Sequence, residues 1–223
     1  MSTVTNQLIV IIRTAIDIFA SRGLKCCLVG SVASYGYGVP RTPNDIDLVV
    51  LTNLYGQETL KSMLVAADSS FYLVPSRNPR ATYKVLWYRN AATFSLSWKV
   101  DILLPGIMNI PNVPRDRIVS KSPHHIPLMP LMPHLLLKLQ AWSDHRASHR
   151  SDQRFKQYTD VRDIDQLLDI ALRRREHIRS ASLDWLPQSM ITAAITRLRS
   201  FVVHAYGGDR ERAAKWRRLG FDI

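Results

Sequence analysis

The chain reads as an α/β (α+β) protein: alternating strands and helices in its first hundred residues, and helices alone in its last ninety. Three observations carry this. From Phe94 to Leu104 the even positions Phe94, Leu96, Trp98, Val100, Ile102 and Leu104 are apolar, while Ser95, Ser97, Lys99 and Asp101 occupy odd ones. That period of two marks a strand with one buried and one polar face. Residues 4–21 instead carry Leu8, Ile12, Ala15, Ile16 and Phe19 at helical spacing, with Arg13 and Asp17 on the other side. Between these patterns and the helical remainder, seven prolines fall at 105, 111, 114, 123, 127, 130 and 133, a density that forbids a long helix and reads as an extended connection. The expected organisation is a core over 1–110, a proline-rich connection over 111–133 and a helical C-terminal subdomain over 134–223.

In chain order, Gly23 ends the first helix, and Lys25 to Val29 forms a buried strand running into Gly30-Ser31. Tyr35 to Asn44 is rich in turn residues and carries one cation, Arg41; it reads as a loop able to reach over a ligand, in which Tyr35 and Tyr37 either stack on a base or pack locally. Asp45 to Leu51 is a strand, Gln57 to Ala67 a helix, and Phe71–Val74 and Tyr83–Tyr88 short strands about a turn at 75–80. The adjacent His124-His125 lacks the spacing of a helical metal site and reads as surface. Helices are expected over Leu131–Trp142, Phe155–Arg175 and Pro187–Tyr206, with a polar loop from Ser143 to Gln153 and a short basic tail at Arg210–Arg218.

Composition narrows the functional classes. At 223 residues with 46% hydrophobic content, the chain can bury a core. Its two cysteines, adjacent at Cys26-Cys27, form neither a disulfide framework nor a zinc pattern, so a reducing compartment, cytosol or nucleus, is expected. The apolar stretch Leu8 to Phe19 is too short to span a bilayer, and no membrane association is expected. Formal net charge is +12; residues 1–105 hold ten Lys/Arg against six Asp/Glu, and 106–223 hold twenty against twelve. Such a surface either favours polyanions, such as nucleic acid or nucleoside triphosphates, or only keeps the protein solvated.

Chemistry concentrates in two pieces. An apolar strand ending in Gly30-Ser31 suits backbone approach to a phosphate, since glycine has no side chain to hold the anion away. Thirteen residues later comes Asp45-Ile46-Asp47, whose carboxylates project from one face of a strand and can hold a hard cation. Asp101, on the polar face of the alternating strand, is the candidate third carboxylate. Each piece alone is compatible with an ordinary turn or a solvated strand end.

In this order and spacing, Val29-Gly30-Ser31 and Asp45-Ile46-Asp47 resemble the signature of the nucleotidyltransferase superfamily with the DNA polymerase beta-like fold, its minimal and aminoglycoside-type members included. More loosely, Leu135-Leu136-Leu137-Lys138-Leu139 and Lys156 to Ile164 look like the C-terminal helical part of such enzymes. The resemblance covers about residues 25–172. It implies a small mixed β-sheet core with flanking helices, and Mg²⁺- or Mn²⁺-dependent transfer of a nucleoside monophosphate, from ATP or another triphosphate, to a hydroxyl with release of pyrophosphate. Asp45, Asp47 and Asp101 are then catalytic and metal-binding; Gly30, Ser31, Arg41 and Lys138 bind nucleotide, although Lys138 can equally be a lysine snorkelling from a buried helix. Asp160 and Asp163 are candidates for acceptor binding, or for pairing with Lys156 and Arg162 on the helix surface. The acceptor stays open among an RNA end or other polyanion, a small molecule and a protein, and so does the oligomeric state. The alternative is an inactive nucleotidyltransferase-like module that binds nucleic acid or a protein partner.

Overall fold

The computed structural model describes residues 3–89, 97–122 and 124–223. The chain divides into two compact units, Met1–Gly36 with Pro40–Met129, and Tyr37–Val39 with Pro130–Ile223.

The first unit is built on a mixed sheet of seven strands in the order β3-β4-β5-β2-β1-β7-β6: β1 Cys26–Val29, β2 Asp45–Val50, β3 Phe71–Pro75, β4 Lys84–Arg89, β5 Ser97–Leu103, β6 Val119–Lys121 and β7 Ile126–Leu128. The pairs β2/β5 and β1/β7 are parallel and the rest antiparallel. Helices α1 (Thr3–Ala20) and α3 (Gln57–Ala67) pack on each other, and α2 (Gly30–Tyr37) follows β1 without a break. The period-two reading of the central strand holds over its described part: Trp98, Val100 and Ile102 are buried, and Ser97, Lys99 and Asp101 alternate with them. Phe94, Ser95 and Leu96 lie outside the described residues.

Several elements differ from the sequence reading. The glycine-rich stretch read as loop from Tyr35 is helical as far as Tyr37, because Val32 and Ala33 are buried and Gly36 leaves room for the Leu128 side chain. The proline-rich stretch contributes β6 and β7, which form a hairpin added to the sheet next to β1. The basic tail is a helix, α7 (Arg210–Arg218), whose N-cap Asp209 accepts from the amides of Glu211 and Arg212.

The second unit contains α4 (Leu131–Ala147), α5 (Ser151–Arg173), α6 (Gln188–His204) and α7. Only residues 148–150 separate α4 from α5, so the expected polar loop over Ser143–Gln153 is mostly helix. Its core is aromatic. Phe201 meets Trp142 and Tyr206 edge-on, each at 4.8 Å between centroids, and Trp216 meets Phe221 at 5.6 Å. Ion pairs fasten α7 to α5: Lys215 with Asp169 at 2.6 Å, and Arg212 with Asp165, which also accepts from the Tyr206 hydroxyl at 2.7 Å.

Candidate active site

In the sheet unit, register gathers the expected carboxylates. The parallel pairing of β2 with β5 sets Asp45 beside Lys99 and Asp47 beside Asp101. Alternate residues of a strand share a face, and partners in adjacent strands point the same way, so all four side chains project from one side of the sheet. Intervening Ile46, Leu48, Val100 and Ile102 are almost wholly buried and anchor both strands from the other side.

The Gly30-Ser31 corner abuts this face. The Ser31 hydroxyl donates to Asp45 Oδ1 at 2.9 Å, linking the head of α2 to β2. Gly30 has φ +64, which favours glycine, and a methyl there would overlap the Asp47 carboxylate. Glycine at this corner therefore makes room for the Asp47 carboxylate, a reason for its place beside an Asp-x-Asp strand other than the phosphate approach expected from sequence. Arg41, in the segment leading to β2, is half-buried.

Lys99 shares this face, and the sequence reading gave it no role. Its ammonium donates to Asp101 Oδ2 at 2.5 Å, with both side chains about a third exposed at 39% and 33%. Burial works against its charge, but the hydrogen bond and the attraction of Asp101, then Asp47 and Asp45, raise its pKa above the usual lysine value. The available signal was its position two residues before Asp101 on the polar face. Among the described residues, no three carboxylate, histidine or cysteine side chains are gathered as a ready-made metal cage. The donor chemistry of Asp45, Asp47 and Asp101 nevertheless suits magnesium, which takes hard oxygen ligands and retains waters.

The other predicted residues belong to the helical unit and form a polar cluster of their own. Lys138, 8% exposed, donates to Asp163 at 2.9 Å and lies 4.0 Å from Asp160. Asp160 shares a 2.6 Å hydrogen bond with His145 Nδ1. Burial raises the Asp160 pKa, although His145 and Lys138 pull the other way. In place of the alternative of surface pairing with Lys156 and Arg162, these aspartates pair in buried positions with Lys138 and His145 of α4, fifteen to twenty-five residues earlier in the chain. Lys138 already has a carboxylate partner, so its burial needs no phosphate to account for it.

His134 completes this cluster. It is buried in α4 and faces the Tyr37 ring at 6.0 Å; burial first, then the Lys138 charge, push its pKa from 6.5 down to about 3, against a smaller opposing pull from Asp163. The folded chain thus binds this proton later than the unfolded chain. Stability is unaffected above about pH 6.5 and falls as pH drops from there toward 3, by up to about 1.4 kcal/mol per unit. Urea unfolding at pH 7 and pH 4.5 should show this loss, reduced in His134→Gln; equal losses in both proteins would assign the acid sensitivity elsewhere.

The fold is shared with a solved nucleotidyltransferase-like protein. Over 98% of this chain and 94% of the other, it superposes with a TM-score of 0.66 at 15% identity on an antigenic nucleotidyltransferase-like protein from Paracoccidioides brasiliensis. A putative nucleotidyltransferase from H. pylori matches over 92% of this chain and 97% of its own at 14% identity, with a TM-score of 0.42 too low to add to the comparison. The same holds for terminal uridylyl transferase 4 from Trypanosoma brucei with bound GTP, at 14% identity over 90% and 68% of the two chains and a TM-score of 0.35. No protein-family model matches the sequence, and no curated protein does. Among the described residues, no helix is long and apolar enough to cross a membrane.

Proposed function

We propose that the chain is a Mg²⁺- or Mn²⁺-dependent nucleotidyltransferase that moves a nucleoside monophosphate from a triphosphate to a hydroxyl acceptor and releases pyrophosphate. The observation that carries this reading is the register of β2 and β5, with Asp45, Asp47 and Asp101 on one face beside the Gly30-Ser31 corner. Asp45, Asp47 and Asp101 would hold the metal, which when bound offsets the charge of the phosphates and of the departing pyrophosphate. The first turn of α2 offers its amides and positive pole to the triphosphate oxygens. Ser31 orients Asp45, and Arg41 supplies a further cation for the triphosphate. Asp101 takes the proton of the acceptor hydroxyl; the acceptor oxygen bonds to the α-phosphorus as its bond to the bridging oxygen breaks, and that electron pair leaves with pyrophosphate.

The direct experiment is incubation with each nucleoside triphosphate labelled at the α-phosphate, with RNA, aminoglycoside and protein acceptors, following the label. Label on none of them would favour the inactive module, which draws support from the Lys99–Asp101 pairing and needs no metal to bind its partner. Charge favours an RNA end over a cationic small molecule, at +12 for the chain. Phe155 and Tyr158 on α5 are 71% and 61% exposed, beside Arg154 and Lys156, a combination suited to stacking on unpaired bases.

If RNA is the acceptor, log affinity should fall linearly with log salt, and neutralising the exposed Arg173-Arg174-Arg175 or Arg217-Arg218 should reduce that slope by about one for each phosphate left without its cation. Filter binding from low to high salt measures it. A flat dependence would redirect the search to small-molecule or protein acceptors.

A further inference from the structure

Three carboxylates on one sheet face repel one another, and the chain answers with a cation from the same lattice. Asp45 and Asp47 come from β2; Lys99 and Asp101 come from β5, each level with one of the pair. Lys99 therefore stands among three carboxylates rather than in an isolated surface pair. Its ammonium is 2.5 Å from Asp101, and its charge also interacts with those of Asp47 and Asp45. These four side chains carry a net charge of minus two in place of minus three.

This ammonium is held by ion pairing in contact with solvent. Lys99 is partly exposed at 39%, its flexible four-carbon stem can swing the head to another anion, and an ion pair so exposed to water is readily exchanged. A nucleoside triphosphate arriving with its metal would bring both a competing cation for Asp101 and a competing anion for Lys99.

We propose that Lys99 is the resident cation of this site: it holds Asp101 while no metal-nucleotide is bound, and exchanges Asp101 for the triphosphate when one binds. This rests on the nucleotidyltransferase reading above and adds to it a residue that couples metal affinity to the presence of nucleotide. Without nucleotide, Lys99 competes with a divalent ion for Asp101, so metal alone binds poorly. With nucleotide, the same ammonium becomes a phosphate ligand, so the two cargoes bind better together than apart.

The test is calorimetric titration of Mn²⁺ into the full chain, first alone and then with a triphosphate analogue that cannot be cleaved. Lys99→Met should bind Mn²⁺ alone about tenfold more tightly than wild type, since one repelling charge has gone from a partly screened site, and the Mn²⁺-triphosphate about tenfold more weakly. Lys99→Gln removes the charge but keeps a polar head, and should behave likewise; Lys99→Arg should stay close to wild type. Thermal melting gives a second readout, because Mn²⁺ alone should raise the midpoint of Lys99→Gln by more than that of wild type. Equal Mn²⁺ affinity in wild type and both neutral variants would overturn the proposal, as would tighter Mn²⁺ binding with no loss for the triphosphate. If wild type binds Mn²⁺-triphosphate in a manner that Asp47→Ala abolishes while Lys99 variants match it, Lys99 alone is misassigned. If no protein in the series takes up Mn²⁺ with the triphosphate, the nucleotidyltransferase reading falls with it.

Discussion

Asp47→Ala is expected to lower nucleotidyl transfer by at least about a hundredfold, with Asp45→Ala close behind, while circular dichroism and the melting midpoint barely move. The expectation for folding follows from where the two carboxylates sit. Both are half-buried on the polar side of β2, and the strand is anchored from the opposite side by Ile46 and Leu48, which either substitution leaves in place. Removing one of three neighbouring like charges also relieves repulsion. The two variants should differ in detail. Asp45→Ala releases the Ser31 hydroxyl from its 2.9 Å bond, loosening the join between α2 and β2, whereas Asp47→Ala empties the space that Gly30 keeps clear. Transfer of an α-phosphate label, measured beside a melting curve for each protein, separates the outcomes. Full activity in either variant would end the nucleotidyltransferase reading, and a collapse in melting temperature would make the pair structural.

What could be read from the sequence was whatever local pattern dictates. Helix α3 runs over Gln57–Ala67 as its apolar spacing requires, and the alternation around Trp98, Val100 and Ile102 identified the strand that carries Asp101. What escaped was decided by partners far along the chain. Helix α2 contains Gly30 and Gly36, poor helix formers by propensity, and is held by burial of Val32 and Ala33 and by the close approach of Leu128 to Gly36. Strand β7 contains Pro127, acceptable in a short strand that meets β1 in register only at Leu28 and Leu128. The tail at Arg210–Arg218 reads from sequence only as basic, because its charges outnumber its apolar residues, yet Ala213 and fully buried Trp216 suffice to seat it. Asp160 and Asp163 sit on a helix full of basic neighbours, but their partners, His145 and Lys138, lie on α4. At the site, the three carboxylates could be read from spacing; that a lysine shares their face follows only from the parallel register of two strands more than fifty residues apart.

Asp101→Asn should divide binding from chemistry. In the proposed reaction Asp45 and Asp47 carry the metal-bound triphosphate, while Asp101 serves the acceptor side as a ligand of the metal there and as proton acceptor, so the variant should keep its affinity for Mg²⁺-nucleotide and fail to transfer. An asparagine occupies the same space, cannot take the hydroxyl proton, and offers a neutral oxygen where the transition state calls for a charged one. Loss of an interaction made mainly in the transition state lowers turnover without a matching loss of ground-state binding, and loss of a general base costs about a hundredfold to ten-thousandfold. The fold should tolerate the change, because the carboxylate is a third exposed and its ion pair with Lys99 is screened by solvent. That pairing sharpens the expectation: with Asp101 neutral, Lys99 loses its nearest competitor for the triphosphate, so nucleotide affinity should be preserved or improved. Calorimetry with an uncleavable triphosphate, run beside single-turnover transfer on the same preparation, measures both quantities. Affinity lost along with turnover would move Asp101 to the triphosphate ligands, and unchanged turnover would leave Asp101 and Lys99 as a surface ion pair on the polar face of β5.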